Sequence, residues 1–343
     1  MTERRHRVLV VDDSAFARKV VREVLQRDPR LEVVGIARDG LDALEKIEQL
    51  GPDVITLDLV MPELDGVGVL RALQSRITAP RVVVVTMSDA ESPLAVEALA
   101  QGAFDLVQKP TALATDRLYE LGTELVEKVV VAASSLNSPR ATRSVVAPKS
   151  APSAKRVSLV AIGASTGGPR AVSALLGALP ASFPVPIAIV VHMPVGYTEA
   201  FAARLDSESA LKVREAEDGM PLGPGTVTIA RAGTHLRVRA SNDGLEAALD
   251  VRPVDSLHRP SVDVLFTSAA NVVKERVLGV VLTGMGADGL EGARAIHEAG
   301  GQLIVEASSS CVVYGMPRAV AEGGLGANEV PLEAMATKIL EQL

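Results

Sequence analysis

The sequence has no tryptophan, and its three tyrosines and five phenylalanines bring aromatics to only 2% of 343 residues. Val, Leu, Ile and Ala must therefore fill its cores, as they do in proteins built on parallel sheets. A single cysteine, Cys311, excludes an internal disulfide and suits a reducing compartment. Positive charge is not in excess either. The formal net charge is −7, whereas a nucleic-acid partner calls for a basic surface against its phosphates. No helix-turn-helix with a basic second helix is visible, which sets DNA binding aside. No apolar run reaches the ~18 residues of a membrane span, and the polar opening MTERRHR lacks the apolar core of a signal peptide. The expected location is the cytoplasm. The five histidines and one cysteine show no metal-ligand spacing, so no catalytic zinc is expected.

What is present is an α/β pattern long enough for two domains. Short Val/Ile-rich runs alternate with stretches of helical period. Strands are expected at 8–11, 31–35, 54–57, 82–85 and 105–107, with helices such as 15–27 and 40–49 between them. This alternation predicts a flavodoxin-like, five-stranded parallel domain over residues 1–133. Residues 134–155, SSLNSPRATRSVVAPKSAPSAK, are rich in Ser, Pro and Ala with no apolar period. They bury too little apolar surface to offset the entropy of ordering, and read as a linker. A second domain, 156–343, is expected to be doubly wound and mostly parallel. Its strands include 157–162, 187–191 and 277–282, with 227–230 and 236–239 forming an inserted β-hairpin.

In the first domain the polar residues gather at strand ends. Asp12 and Asp13 follow the first strand, Asp58 the third, Thr86 the fourth and Lys109 the fifth. In an open parallel sheet these ends share one edge, where ligands bind. Carboxylates crowded there need a cation, and hard oxygen ligands favour Mg²⁺. Asp58 would be the nucleophile toward a phosphoryl donor, with Lys109 and Thr86 on the phosphoryl oxygens. Any one of these residues alone would be an ordinary loop residue; five at matched strand ends are not. On VLVVDDS, LDLVMPELDG around Asp58, Thr86 and Lys109-Pro110, residues 7–125 resemble the response-regulator receiver family. The resemblance implies phosphorylation of Asp58 by a histidine kinase, with Mg²⁺ held by Asp13, Asp58 and the Val60 carbonyl. Many receivers carry an aromatic switch residue three positions before the lysine; here Leu106 stands there, with Phe104 nearby on the same strand face.

In the second domain Gly163-Ala164-Ser165-Thr166-Gly167 lies between a strand and a helix-compatible run, fitting G-x-S-x-G. By itself the pattern is weak. His192 ends the strand IAIVV at the same kind of edge and is the natural base for a serine hydroxyl. Asp288, in Thr283-Gly284-Met285-Gly286-Ala287-Asp288-Gly289, supplies a carboxylate to orient the imidazole. The N–H groups of that turn are candidates for an oxyanion hole. The chain order Ser, His, Asp differs from that of the α/β-hydrolases, which argues against that superfamily. A rival remains on the same residues. Gly284 to Gly289 also fits G-x-G-x-x-G, with Glu306 placed to bind a ribose, as in dinucleotide sites. Against it, Asp288 would oppose a pyrophosphate at the helix N-terminus, and little chain follows Glu306.

GASTGGP, VVHMP, HRPSVDVLF, LTGMGADG and CVVYGMPRA give residues 157–320 a resemblance to the catalytic domain of the CheB family of chemotaxis methylesterases. The resemblance implies Ser165 as nucleophile, His192 as base, Asp288 as its orienting acid and the Met285 N–H on the oxyanion, with no cofactor for the esterase. The implied substrates are glutamate γ-methyl esters, and often glutamines, on chemoreceptor helices. One departure is Val305-Glu306 before Ala307, where such sequences commonly have a Gln-acid pair. His258, Arg259 and Asp263 in HRPSVD are candidates to line the cleft, and His258 is the alternative base. Cys311 reads as an inert thiol, and His6, His235 and His297 as surface residues. A regulator whose output domain only binds a partner is the remaining non-enzymatic alternative. Across the linker, an unphosphorylated receiver is expected to block the cleft and phosphorylation to uncover it.

Overall fold

Val- and Ile-rich runs form strands because their branched side chains suit a pleated surface buried on both sides. The computed structural model describes residues 4–76, 78–86, 92–109, 115–135 and 157–343, in two compact units, Met1–Pro139 and Arg140–Leu343. Pro110 and nearly all of the expected linker lie outside the described residues. In the first unit β1 (His6–Val11), β2 (Leu31–Ala37), β3 (Val54–Leu57), β4 (Arg81–Thr86) and β5 (Asp105–Gln108) make one parallel sheet in the order β2-β1-β3-β4-β5. Helices α1 (Ala15–Gln26), α2 (Gly40–Leu50), α3 (Gly66–Gln74) and α4 (Ser92–Ala100) connect the strands. Ser14, Asp39 and Asp65 cap the first three of these through side-chain oxygens. Helix α5 (Thr115–Ser134) extends one residue past the expected domain end. Leu106 and Phe104 are both buried.

The second unit runs β6 (Leu159–Ala164), α6 (Gly168–Gly177), β7 (Ile187–Val191), α7 (Thr198–Glu208), β8 (Lys212–Glu215), β9 (Pro221–Leu222) and β10 (Thr226–Ile229). It continues through β11 (His235–Ser241), β12 (Gly244–Asp250), α8 (Val262–Val273), β13 (Val277–Val281), α9 (Leu290–Glu298), β14 (Gln302–Glu306), α10 (Met316–Glu322), β15 (Asn328–Val330) and α11 (Leu332–Leu340). Seven strands form a parallel sheet in the order β15-β14-β13-β6-β7-β10-β8. The inserted antiparallel hairpin exists, but β11 pairs with β12, and β9 adds to β12. The run expected to be the hairpin's first arm, β10, instead lies parallel between β7 and β8. Its burial explains this, because Val227, Thr228 and Ile229 are all buried, as a central strand requires. Among the described residues no helix is long and apolar enough to cross a membrane.

After β6 the chain builds toward β8, and after β12 it returns to place β13 on the other side of β6. The crevice beyond the ends of β13, β6 and β7 is thus a topological switch point, the usual ligand position in open α/β sheets. Helix α8 packs between β6 and the small sheet, with Val262, Leu265 and Phe266 buried in the core. Its N-terminus comes down on Gly163, where a Cβ would overlap both methyls of Val262. A second tie is His235, which is fully buried and not at the surface as expected. Its Nδ1 accepts the N–H of Ser261 at 3.2 Å, and its Nε2 donates to the Pro253 carbonyl at 3.2 Å. The bond accepted at Nδ1 requires a neutral ring, whereas the one donated from Nε2 is made by either form. Burial, then Arg259 and Arg237, lower its pKa, against an opposing push from the Pro253 bond.

Two outcomes are expected. Gly163→Ala should cost about 1–3 kcal/mol through overpacking, read by urea denaturation. Gly177→Ala, where a Cβ meets nothing within 4 Å, should cost nothing. For His235 the unfolded chain takes up a proton near pH ~6.5, before the folded protein does. Its contribution is complete above that pH and lost as pH falls toward the lowered folded value. His235→Asn should therefore flatten the decline of the thermal midpoint below pH ~6.5; an unchanged slope would contradict this.

Candidate active site

Ser165, His192 and Asp288 converge on the switch point. In the parallel register Ala164 of β6 pairs with Val191 of β7, so the next residues, Ser165 and His192, leave the sheet side by side. The His192 N–H donates to the Ala164 carbonyl at 3.1 Å. On the other flank the Ser165 N–H donates to the Thr283 carbonyl at 3.0 Å, just beyond β13. Gly284 packs against the serine closely enough that a Cβ there would lie 2.8 Å from Ser165 Cβ. Met285, the next residue, is partly exposed in the same turn.

The histidine and aspartate are in direct contact. His192 Nε2 lies 2.8 Å from Asp288 Oδ2, with both side chains about nine-tenths buried (11% and 8% exposed). Asp288 also accepts from the Ser261 hydroxyl at 2.8 Å, the Val262 N–H at 2.7 Å and the Asp263 N–H at 3.0 Å. These donors are the start of α8, whose free N–H groups and dipole favour a negative charge. Burial opposes the charge, yet His192 and the backbone donors hold the Asp288 carboxyl well below the usual carboxylate range. An ionised Asp288 accepts, so in the neutral ring His192 Nε2 carries the proton and Nδ1 the lone pair. That Nδ1 is buried and has no hydrogen-bond partner among the described residues. The ring of His192 stacks on His258, centroids 4.1 Å apart and planes 22° apart.

Asp263 is engaged with the backbone of α9. Its Oδ1 accepts the N–H groups of Gly289 at 2.9 Å and Gly292 at 2.7 Å, capping α9 while Asp288 caps α8. Burial and the neighbouring Asp288 raise its pKa. Glu306 is also spent internally: fully buried, it accepts from the Thr283 N–H at 2.8 Å and the Ser310 hydroxyl at 2.9 Å. Burial pushes its pKa up. The dinucleotide alternative fails here, because the helix N-terminus is filled by Asp263 and the ribose-binding candidate is sealed from solvent. Cys311 is half-buried, and burial followed by Glu306 pushes its thiol far up, consistent with an inert group. Ser261 was legible only as an N-cap signal, a serine before an apolar helical run. Nothing in the sequence pairs Glu306 with Thr283.

In the first unit the strand ends assemble as expected. Carboxylate oxygens of Asp12, Asp13 and Asp58 all lie within 4.8 Å of one another. Lys109 Nζ sits 2.6 Å from Asp12 and 2.8 Å from Asp58, and the Lys109 backbone N–H donates to the Thr86 carbonyl at 2.6 Å. Thr86 is fully buried, and Val60 is half-exposed two residues beyond Asp58. Burial, opposed by Lys109 and reinforced by Asp12, pushes the Asp58 pKa up to about 6. One lysine does not neutralise the cluster, and an all-oxygen set of this kind fits a hard divalent cation.

Known proteins place both units. Residues 160–339 match the model of the CheB methylesterase family, and residues 8–120 that of the response regulator receiver domain. A Myxococcus xanthus protein named protein-glutamate methylesterase/protein-glutamine glutaminase 5 is 58% identical, over 96% of this chain and 95% of its own length. A Thermotoga maritima protein named protein-glutamate methylesterase/protein-glutamine glutaminase is 40% identical over 99% of both chains. The crystal structure of the Thermotoga maritima CheB methylesterase catalytic domain covers 55% of this chain and 100% of its own, at 41% identity and a TM-score of 0.53. The chain belongs to the CheB methylesterase family, with a response-regulator receiver domain ahead of the catalytic domain.

Proposed function

We propose that the protein is a chemotaxis protein-glutamate methylesterase and glutaminase in which phosphorylation of Asp58 governs a Ser165–His192–Asp288 hydrolase. The observation that carries this reading is the His192 ring: Nε2 is committed to Asp288, and the lone pair on Nδ1 is buried and unspent beside the strand end that carries Ser165. Nδ1 takes the serine proton as Oγ attacks the γ-carbonyl of a methylated glutamate. The oxyanion forms against the Met285 N–H. The imidazolium returns the proton to the departing methanol, and a water, deprotonated by the same nitrogen, hydrolyses the acyl-serine to glutamate. A glutamine side chain follows the same course with ammonia leaving. This chemistry needs no cofactor.

In the receiver, Asp58 attacks the phosphoryl group supplied by a histidine kinase. Asp12, Asp13, Asp58 and the Val60 carbonyl would hold Mg²⁺, which supplies positive charge between the carboxylates and the phosphoryl oxygens. Lys109 and the Thr86 hydroxyl meet those oxygens once transfer is complete. The substrates are methylated cytoplasmic helices of chemoreceptors, and the enzyme acts in the cytoplasm without nucleic acid or membrane insertion. The working division is a receiver over 1–133, a linker over 134–155 and a catalytic domain over 156–343.

Methanol release from methylated receptor membranes tests both halves. Ser165→Ala should lower turnover by about 10⁴-fold or more. Acetyl phosphate with Mg²⁺ should stimulate the parent and fail to stimulate Asp58→Asn. A Ser165→Ala variant that still releases methanol would refute the catalytic assignment, and a stimulated Asp58→Asn variant the regulatory one.

A further inference from the structure

The bond from His192 to Asp288 fixes one atom of the imidazole, Nε2, but not the plane of the ring. A histidine χ2 is broad and lacks sharp staggered wells, so a single hydrogen bond leaves the ring free to tilt about the Nε2···Oδ2 line. Tilting moves Nδ1, the atom that must face the serine. The protein holds the second constraint in His258, whose ring lies on that of His192 with centroids 4.1 Å apart and planes 22° from parallel. The segment carrying His258 is anchored on both sides. The Ser256 hydroxyl donates to the His258 carbonyl at 2.9 Å, and the Gly233 N–H donates to the Arg259 carbonyl at 3.1 Å. The Arg259 guanidinium donates to the Val254 carbonyl at 2.7 Å, and two residues on, the Ser261 N–H is held by His235. The loop before α8 thus presents a fixed flat wall beside the catalytic base.

We infer that His258 is a positioning residue for the hydrolase: its stacked ring sets the plane of His192 and so aims Nδ1 at Ser165. This rests on His192 being the general base, as proposed above. The contribution required is that of the ring face, not of an ionisable nitrogen, so a phenylalanine should serve. An aim error approaching 1 Å at a reacting atom costs on the order of 100-fold in rate.

Full-length His192→Ala, His258→Ala and His258→Phe, each checked for an unchanged thermal midpoint, should be compared in methanol release from methylated receptor membranes. His258→Ala is expected to lose at least about tenfold in kcat with KM within about twofold. His258→Phe should recover most of that loss. A His258→Ala enzyme within about twofold of the parent, a loss confined to KM, or a phenylalanine variant as slow as the alanine one would each overturn the positioning role. His192→Ala separates the two claims. If it turns over normally, the base assignment itself falls; if it is inactive beside an unaffected His258→Ala, only the stacking role does.

Discussion

The catalytic unit depends on one buried anion. Burying an isolated carboxylate is costly, so it must be paired and hydrogen-bonded or it takes up a proton. Asp288 meets that condition with donors from a different part of the chain: the Ser261 hydroxyl, two N–H groups at the start of α8, and His192. Asp263, on that first turn of α8, returns the favour by capping α9 just after Asp288. The exchange joins the turn after β13 to the start of α8, and the negative charge so stabilised fixes which nitrogen of His192 keeps its proton. Capping, normally a matter of helix stability, here sets the tautomer of an imidazole.

The two units solve the same electrostatic problem in opposite directions. At the strand ends of the receiver, three carboxylates face Lys109, with the Arg18 guanidinium donating to the Asp12 and Asp13 carbonyls, and Asp58 is pushed toward its neutral form. Crowded carboxylates of this kind suit the proposed role of taking a divalent cation. In the catalytic unit donors outnumber the charge, Asp288 stays ionised, and its neighbour Asp263 bears the cost as a raised pKa. Both arrangements use the carboxyl edge of a parallel sheet, where backbone ends bring distant residues together.

Much of this was legible in the sequence because it is local. Val54–Leu57 and Ile187–Val191 are runs rich in Val, Ile and Leu whose ends the structure reproduces, and the polar residues that follow strands fall on the sheet edges. Ser165, His192 and Asp288 were each readable for the same reason. What escaped is long-range pairing. The placement of β10 in the large sheet, the burial of His235 and the engagement of Glu306 with Thr283 each depend on a partner far along the chain. A histidine or glutamate reads as polar until the fold supplies its donors and acceptors. The stacking of His258 on His192 joins segments 66 positions apart by number, and no periodicity announces it.

Asp288→Asn gives the most direct test of the central claim. The substitution keeps the shape and removes the charge. With an amide in place of the carboxylate, His192 loses the acceptor that holds the proton on Nε2, and Nδ1 no longer presents its lone pair to Ser165. Turnover measured by methanol release should fall by about 10³–10⁴-fold, while nitrogen NMR of the ring shows the proton no longer held on Nε2. Turnover within about tenfold of the parent, with the proton still on Nε2, would contradict the account.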